Sequence, residues 1–138
     1  MTTERFDAGL AVRRDVLGGT YVDAALSRTT EFTAELQTLI TEYCWGSIWT
    51  RDGLPRQTRS LLNIAMMVAL NRPHELELHV KGARRNGVTP AEIKEVLLQA
   101  TIYAGVPAGV DAFGVAAKAL AEYDAQAAEE EPNKDAAA

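Results

Sequence analysis

Residues 61–70 constrain this chain more than any other segment. Leu61, Leu62, Ile64, Ala65, Met66, Met67, Val68, Ala69 and Leu70 form an apolar run broken only by Asn63. At 100° per residue these side chains cover the whole circumference of a helix. A helix apolar all round needs apolar surroundings on every side. One layer of a domain of 138 residues rarely encloses a helix completely, so burial against a second copy of the chain is expected. The run is also well short of the roughly 18 apolar residues that a membrane span requires.

The rest of the body reads as helices. A first amphipathic piece is expected over 6–17, with Phe6, Leu10, Arg13 and Leu17 on one side and Gly18-Gly19 as its stop. A short helix over 22–29 follows. A third, over 31–45, spaces Phe32, Leu36, Leu39, Ile40 and Tyr43 three and four residues apart, with Gly46 available to close it. After a loop containing Asp52-Gly53, Pro55 suits the first position of the helix that runs to about 70. Pro73 starts a fifth helix that stops at Asn86-Gly87. Thr89-Pro90-Ala91-Glu92 combines a threonine cap, a proline at the first helical position and a capping-box glutamate. That sixth helix carries Ile93, Val96, Leu97 and Ala100 up to about 103, and an alanine-rich seventh is expected over 108–123. No segment alternates as a strand would, so the fold class is all-α, with six to seven helices in a single domain over 1–123.

Charge places the chain among neutral-bodied proteins. Five acids and one base between Asp124 and Ala138 give −4, so residues 1–123 hold only −1 of the net charge of −5. A body so nearly neutral has no electrostatic footprint for nucleic acid or an anionic membrane. The polar, low-complexity stretch 124–138 reads as a frayed, solvated, acidic tail. One cysteine, Cys44, excludes an internal disulfide and a CxxC pair. Two histidines leave a zinc cage short of its usual ligands, and no metal is expected. The opening residues, Met1 to Phe6, lack the basic-then-apolar layout of a signal peptide, so a cytoplasmic location is expected.

Two groups of side chains could do chemistry. His79 lies at the edge of the fifth helix's apolar stripe (Leu76, Val80, Ala83), one turn after Glu75, which is placed to hold a ring nitrogen and fix the tautomer. A buried histidine satisfied by its neighbour would show the same spacing. His74 is roughly 140° away around the helix and is expected in solvent, so the two cannot share a metal. Arg51, Arg56 and Arg59 gather near the start of the fourth helix, where free N–H groups and the macrodipole already favour anions. They would bind a carboxylate in bidentate fashion, or else form ordinary salt bridges between subunits. Trp45 and Trp49 could wall a pocket beside them or pack in a core. Glu42 is a further carboxylate more at home on the surface, and Cys44 reads as a buried, inert thiol.

Taken in order, several segments resemble the carboxymuconolactone decarboxylase family. They begin with Gly9-Leu10-Ala11-Val12-Arg13-Arg14-Asp15-Val16-Leu17-Gly18 and Tyr43-Cys44-Trp45-Gly46-Ser47-Ile48-Trp49, then Arg51-Asp52-Gly53-Leu54 and Thr58-Arg59-Ser60-Leu61. They continue with Glu75-Leu76-Glu77-Leu78-His79, Asn86-Gly87-Val88-Thr89 and Tyr103-Ala104-Gly105-Val106-Pro107-Ala108. The resemblance implies an alkylhydroperoxidase-D-like helical domain assembled as a ring-shaped homo-oligomer, commonly a hexamer. It also implies cofactor-free loss of CO2 from 4-carboxymuconolactone to give 3-oxoadipate enol-lactone, a step in protocatechuate degradation. In that substrate the departing carboxylate sits on the carbon vinylogous to the lactone carbonyl, so the ring is its own electron sink. On this reading Arg51, Arg56 and Arg59 anchor the acetate arm of the lactone dicarboxylate. His79, oriented by Glu75, serves as acid or oxyanion donor, and Trp45 or Trp49 forms a drier wall beside the carboxylate that leaves.

The resemblance also carries departures. Peroxide-reducing relatives use a CxxC pair whose positions fall here on Arg72 and Glu75, and Ser60 stands where they carry a relay glutamate. Disulfide-based peroxidase activity is therefore not expected. After Gly105-Val106-Pro107-Ala108 the decarboxylase pattern leads one to expect an asparagine and a polar neighbour, whereas this chain has Gly109-Val110-Asp111. That departure leaves Asp111 unassigned and is the one sequence feature that favours an alternative: a carboxylate-binding or differently specific lactone-processing protein on the same scaffold.

Overall fold

The computed structural model describes residues 1–136, and among them every regular element is a helix. The order is α1 (Glu4–Leu17), α2 (Gly19–Ser27), α3 (Ala34–Leu39), a π-helix (Ile40–Ile48), α4 (Arg56–Ala69), α5 (Pro73–Arg85), α6 (Pro90–Ala104) and α7 (Val106–Ala136). The chain forms two compact units, Met1–Arg59 and the part from Ser60 onward.

In the first unit, Thr3 caps α1 by accepting a hydrogen bond from the Phe6 amide. Gly18, at φ 91°, ends the helix in a conformation that a side chain would resist. Gly19 does not extend that stop, as the sequence suggested, but opens α2. Val12, Arg13, Val16 and Leu17 form the buried face of α1.

The third expected helix departs most. Its α-helical part is only Ala34–Leu39, after which the backbone widens into the π-helix, with the Trp49 amide bonding the Cys44 carbonyl. Gly46 lies within this element and does not close it. Its role is contact: a Cβ on Gly46 would fall 2.8 Å from Arg5 Cγ and closer still to the Arg5 carbonyl oxygen. A Cβ on Gly9 would fall 2.7 Å from the Gly46 amide nitrogen and onto the Thr41 carbonyl oxygen. Two glycines thus let α1 and the π-helix cross backbone against backbone. The expected apolar stripe is correspondingly absent, since Phe32, Leu36, Leu39 and Tyr43 all stand exposed.

In the second unit the expected signals around α5 and α6 are met. α6 begins with a complete capping box between Thr89 and Glu92, with Pro90 at its first position. α5 ends at Asn86 and Gly87, the latter at φ 88°. Ile64, Val68, Leu76, Val80, Ala83, Val88, Ile93 and Leu97 make the core with Ala112, Ala116 and Ala119 of α7. The alanines explain how α7 lies so close, since each presents only a methyl group. This helix continues to Ala136 instead of ending near Tyr123. From Asp124 to Glu131 the segment is mostly Ala, Glu and Gln, good helix formers with no glycine to stop them. The frayed tail expected over 124–138 is therefore helical as far as Ala136, and its last two residues lie outside the described ones.

The apolar run on α4 is buried along one side only. Ser60, Ile64 and Val68 are inside, while Leu62, Met66 and Leu70 on the opposite face remain 46%, 47% and 63% exposed. This is an open stripe at i, i+4, i+8, and a single copy leaves it in water.

Candidate active site

The candidate residues of the second unit that the sequence singles out, His79 and Glu75, lie on α5. Its buried stripe is Leu76, Val80 and Ala83, as the spacing requires, and His79 sits partly buried at the edge of that stripe. His74 points to solvent. Burial pushes the His79 pKa below 6.5, and the Glu75 carboxylate one turn earlier only partly restores it. The imidazole is therefore neutral near pH 7.

The hydrogen-bond partner of the ring differs from expectation. Glu75 stands exposed and acts on His79 through charge, while Asn63 of α4 places its Nδ2 3.5 Å from His79 Nδ1. Asn63 was a visible signal in the sequence, as the one polar interruption of the 61–70 run, but only the fold pairs it with a residue sixteen positions away. One turn earlier on α4, Ser60 is fully buried and accepts a hydrogen bond from Asn86 at 2.8 Å. In this position it ties α4 to Asn86, the residue that ends α5.

The first unit holds the arginines, and they divide. Arg56 pairs with Asp15 at 3.2 Å, a salt bridge within the chain. Arg51 is exposed, and its carbonyl accepts a long 3.4 Å bond from Arg59 Nη2. The Nε of Arg59 is shielded from solvent and donates to nothing among the described residues. A shielded N–H without a partner is costly to leave unused, and the Nε atoms of Arg13 and Arg84 share that state.

Trp45 and Trp49 stack on each other with centroids 5.0 Å apart and planes at 27°, and both are buried. Much of their surface is thus spent on packing in the first unit. Glu42 accepts from the Thr3 hydroxyl at 2.8 Å, a surface tie between the start of α1 and the π-helix. Cys44 corrects an expectation, because the residue is exposed on the π-helix. Shielding of its sulfur still raises the thiol pKa, against the opposing charge of Arg13, so the thiol stays protonated at neutral pH.

Arg13 is a buried cation that the sequence does not mark as a site residue. Its one signal is its place in line with Phe6, Leu10 and Leu17 on the apolar side of α1. It is 6% exposed, with Nη1 donating to Gln37 Oε1 at 3.1 Å and to Thr41 Oγ1 at 3.2 Å. Burial lowers its pKa. It holds the π-helix's first turn against α1 by hydrogen bonds, with no carboxylate paired to it among the described residues.

Gly109 stands at a close contact between helices. A Cβ there would fall 2.6 Å from Thr101 Cγ2 and 2.7 Å from Thr101 Cβ, so α6 and α7 touch at a point that admits no side chain. The expected asparagine would force them apart. Asp111 is exposed and borders a narrow crevice of about 20 Å³ with Asn71 and Arg72. Among the described residues, no three His, Cys, Asp or Glu side chains gather in a way that could hold a metal ion.

Comparison with known proteins gives this geometry a context. Residues 34–118 match the carboxymuconolactone decarboxylase family. The chain is 41% identical over 132 residues to 4-carboxymuconolactone decarboxylase of Acinetobacter baylyi, covering 96% of this chain and 97% of that protein. It is 46% identical over 115 residues to nitrosuccinic acid decarboxylase npaB of Metarhizium robertsii, covering 83% and 80%. A 4-carboxymuconolactone decarboxylase of Pseudomonas putida matches over 43 residues at 44% identity, 31% of this chain and 90% of that sequence.

Proposed function

The chain belongs to the carboxymuconolactone decarboxylase family, and on that premise we propose that it is a carboxy-lyase that removes CO2 from 4-carboxymuconolactone. The near end-to-end similarity to the Acinetobacter baylyi decarboxylase carries this reading. The bond to the carboxylate carbon breaks, and its electron pair moves through the ring double bond onto the lactone carbonyl oxygen as a dienolate. A proton then returns to the ring carbon next to that carbonyl, giving 3-oxoadipate enol-lactone.

Each group has a role suited to its own chemistry. Arg59, with an unused shielded donor, anchors the acetate carboxylate, and Arg51 and Arg56 add positive charge near the start of α4. His79, being neutral, donates a hydrogen bond to the developing oxyanion; a donor of this kind typically contributes about 10²–10³ in rate. Glu75 raises the basicity of the ring so that it can also pass on a proton. Trp45 and Trp49 supply a dry wall. The open Leu62, Met66 and Leu70 stripe supports assembly as a homo-oligomer, which we take to be a ring-shaped hexamer. Among the described residues no helix is long and apolar enough to cross a membrane; we take the enzyme to act in the cytoplasm, in protocatechuate breakdown by the β-ketoadipate route.

A second reading follows from the 46% identity to a nitrosuccinic acid decarboxylase. In nitrosuccinic acid the nitro group can take the electron pair as a nitronate, so the needs are the same: an anchored second carboxylate and a donor to oxygen. Ultraviolet assays with both acids in parallel decide. Loss of the lactone's absorbance, with kcat/KM at least tenfold above that for nitrosuccinic acid, is expected. The opposite ranking moves the substrate to the nitro acid, and turnover of neither by assembled protein removes the decarboxylase reading.

A further inference from the structure

We propose that Asn63 is a positioning residue for His79: its side-chain amide donates to Nδ1, which leaves the ring's single proton on Nε2, ready to donate to an oxyanion. This rests on the decarboxylase reading above. Three observations point to it. First, Asn63 is the only polar side chain between Leu61 and Leu70, and an amide among apolar neighbours is costly unless it has a partner. Second, that partner is Nδ1 of His79, at 3.5 Å. This is a long hydrogen bond, of the kind that tightens when substrate closes over a catalytic group. Third, the carboxylate that could have claimed Nδ1 from the opposite sense does not. Glu75, one turn before His79, is exposed and touches the ring only through its charge.

The sense of the bond decides the chemistry. A carboxylate on Nδ1 accepts a proton from it, makes Nε2 the lone-pair nitrogen and turns the ring into a base. An amide N–H on Nδ1 does the reverse and makes Nε2–H a donor. Decarboxylation with the substrate as electron sink develops negative charge on oxygen before any proton is needed, so a donor is the more useful state. Asn63 thereby selects which of two opposite functions the same imidazole performs.

Nitrogen-15 labelling of histidine tests this directly, because the chain has only two histidines and His79→Gln assigns the pair. In the wild type above the imidazole pKa, long-range proton–nitrogen correlations are expected to show His79 with an unprotonated, hydrogen-bonded Nδ1 and a protonated Nε2. Asn63→Asp offers an acceptor instead and is expected to move the proton to Nδ1 and to lower kcat about tenfold or more with KM within about twofold. Asn63→Leu is expected to move Nδ1 toward its unbonded resonance, with a two- to tenfold loss, roughly that of one hydrogen bond. A wild-type ring protonated on Nδ1, or an Asn63→Asp protein of normal elution volume with an unchanged nitrogen pattern, overturns the assignment. The wild-type spectrum judges Asn63 even if no substrate turns over, and turnover judges the reaction whatever the tautomer, so the two failures are distinct.

Discussion

Replacing Gly9 by alanine probes the feature of this fold that helix periodicity does not anticipate. A Cβ at Gly9 would stand 2.7 Å from the amide nitrogen of Gly46 and 2.9 Å from its Cα, roughly 0.7 and 0.5 Å inside the 3.4 Å at which ordinary contact begins. The obstructing atoms all belong to backbone, so no side chain can swing aside. α1 and the π-helix must separate, loosening Val12, Val16 and Trp45 with them. Overpacking of this kind costs about 1–3 kcal/mol, and a backbone obstacle favours the upper end. Alanine returns about 1 kcal/mol of helix propensity, for a net loss of about 1–2 kcal/mol. Gly114 on α7 is the control, since a Cβ there meets nothing within 4 Å. Gly114→Ala should stabilise by about 0.4–1 kcal/mol. Thermal unfolding at equal protein concentration should therefore separate the two variants by roughly 5–10 °C, in opposite directions from the wild type. A Gly9→Ala protein as stable as Gly114→Ala would show that the two helices do not meet backbone to backbone.

Other consequences are as concrete. Because the folded pKa of His79 lies below 6.5, the unfolded chain binds more protons in the interval between the two values. Stability should fall as pH drops through that interval, by about 1.4 kcal/mol for each unit of depression, and His79→Gln should flatten the urea-midpoint profile there. Arg59→Met should raise KM for the dicarboxylate about tenfold or more with a smaller change in kcat, whereas Arg56→Met, which breaks a half-exposed ion pair with Asp15, should change KM less. Met66→Glu, on the open stripe of α4, should reduce the assembled mass measured by light scattering while leaving helical content intact.

Much of the second unit could be read from its residues because the determining interactions are local. The Thr89–Glu92 box, Pro90 and the Asn86-Gly87 stop act within four residues of each other, and α5 shows its stripe at helical spacing. The first unit resists such reading. Its π-helix arises where Gly9 and Gly46, far apart in sequence, allow a close crossing, and an apolar period fitted to 3.6 residues misplaces Phe32, Leu36 and Leu39. The candidate site divides in the same way. His79 and the arginines are chemically conspicuous, whereas Asn63 and Arg13 carry meaning only through their partners, at separations of sixteen and twenty-eight residues. At Gly109 the departure from the family pattern coincides with a close contact between α6 and α7, which a sequence alone does not display.

Pre-steady-state release of CO2 from 4-carboxymuconolactone, compared between the wild type and His79→Gln at pH 7.5, addresses the heart of the account. A single-turnover rate lower by about 10²–10³ in a fully assembled His79→Gln protein than in the wild type is predicted. Equal rates in the two proteins would mean that the imidazole on α5 is packing, and that the oxyanion formed as CO2 leaves is stabilised by a different donor.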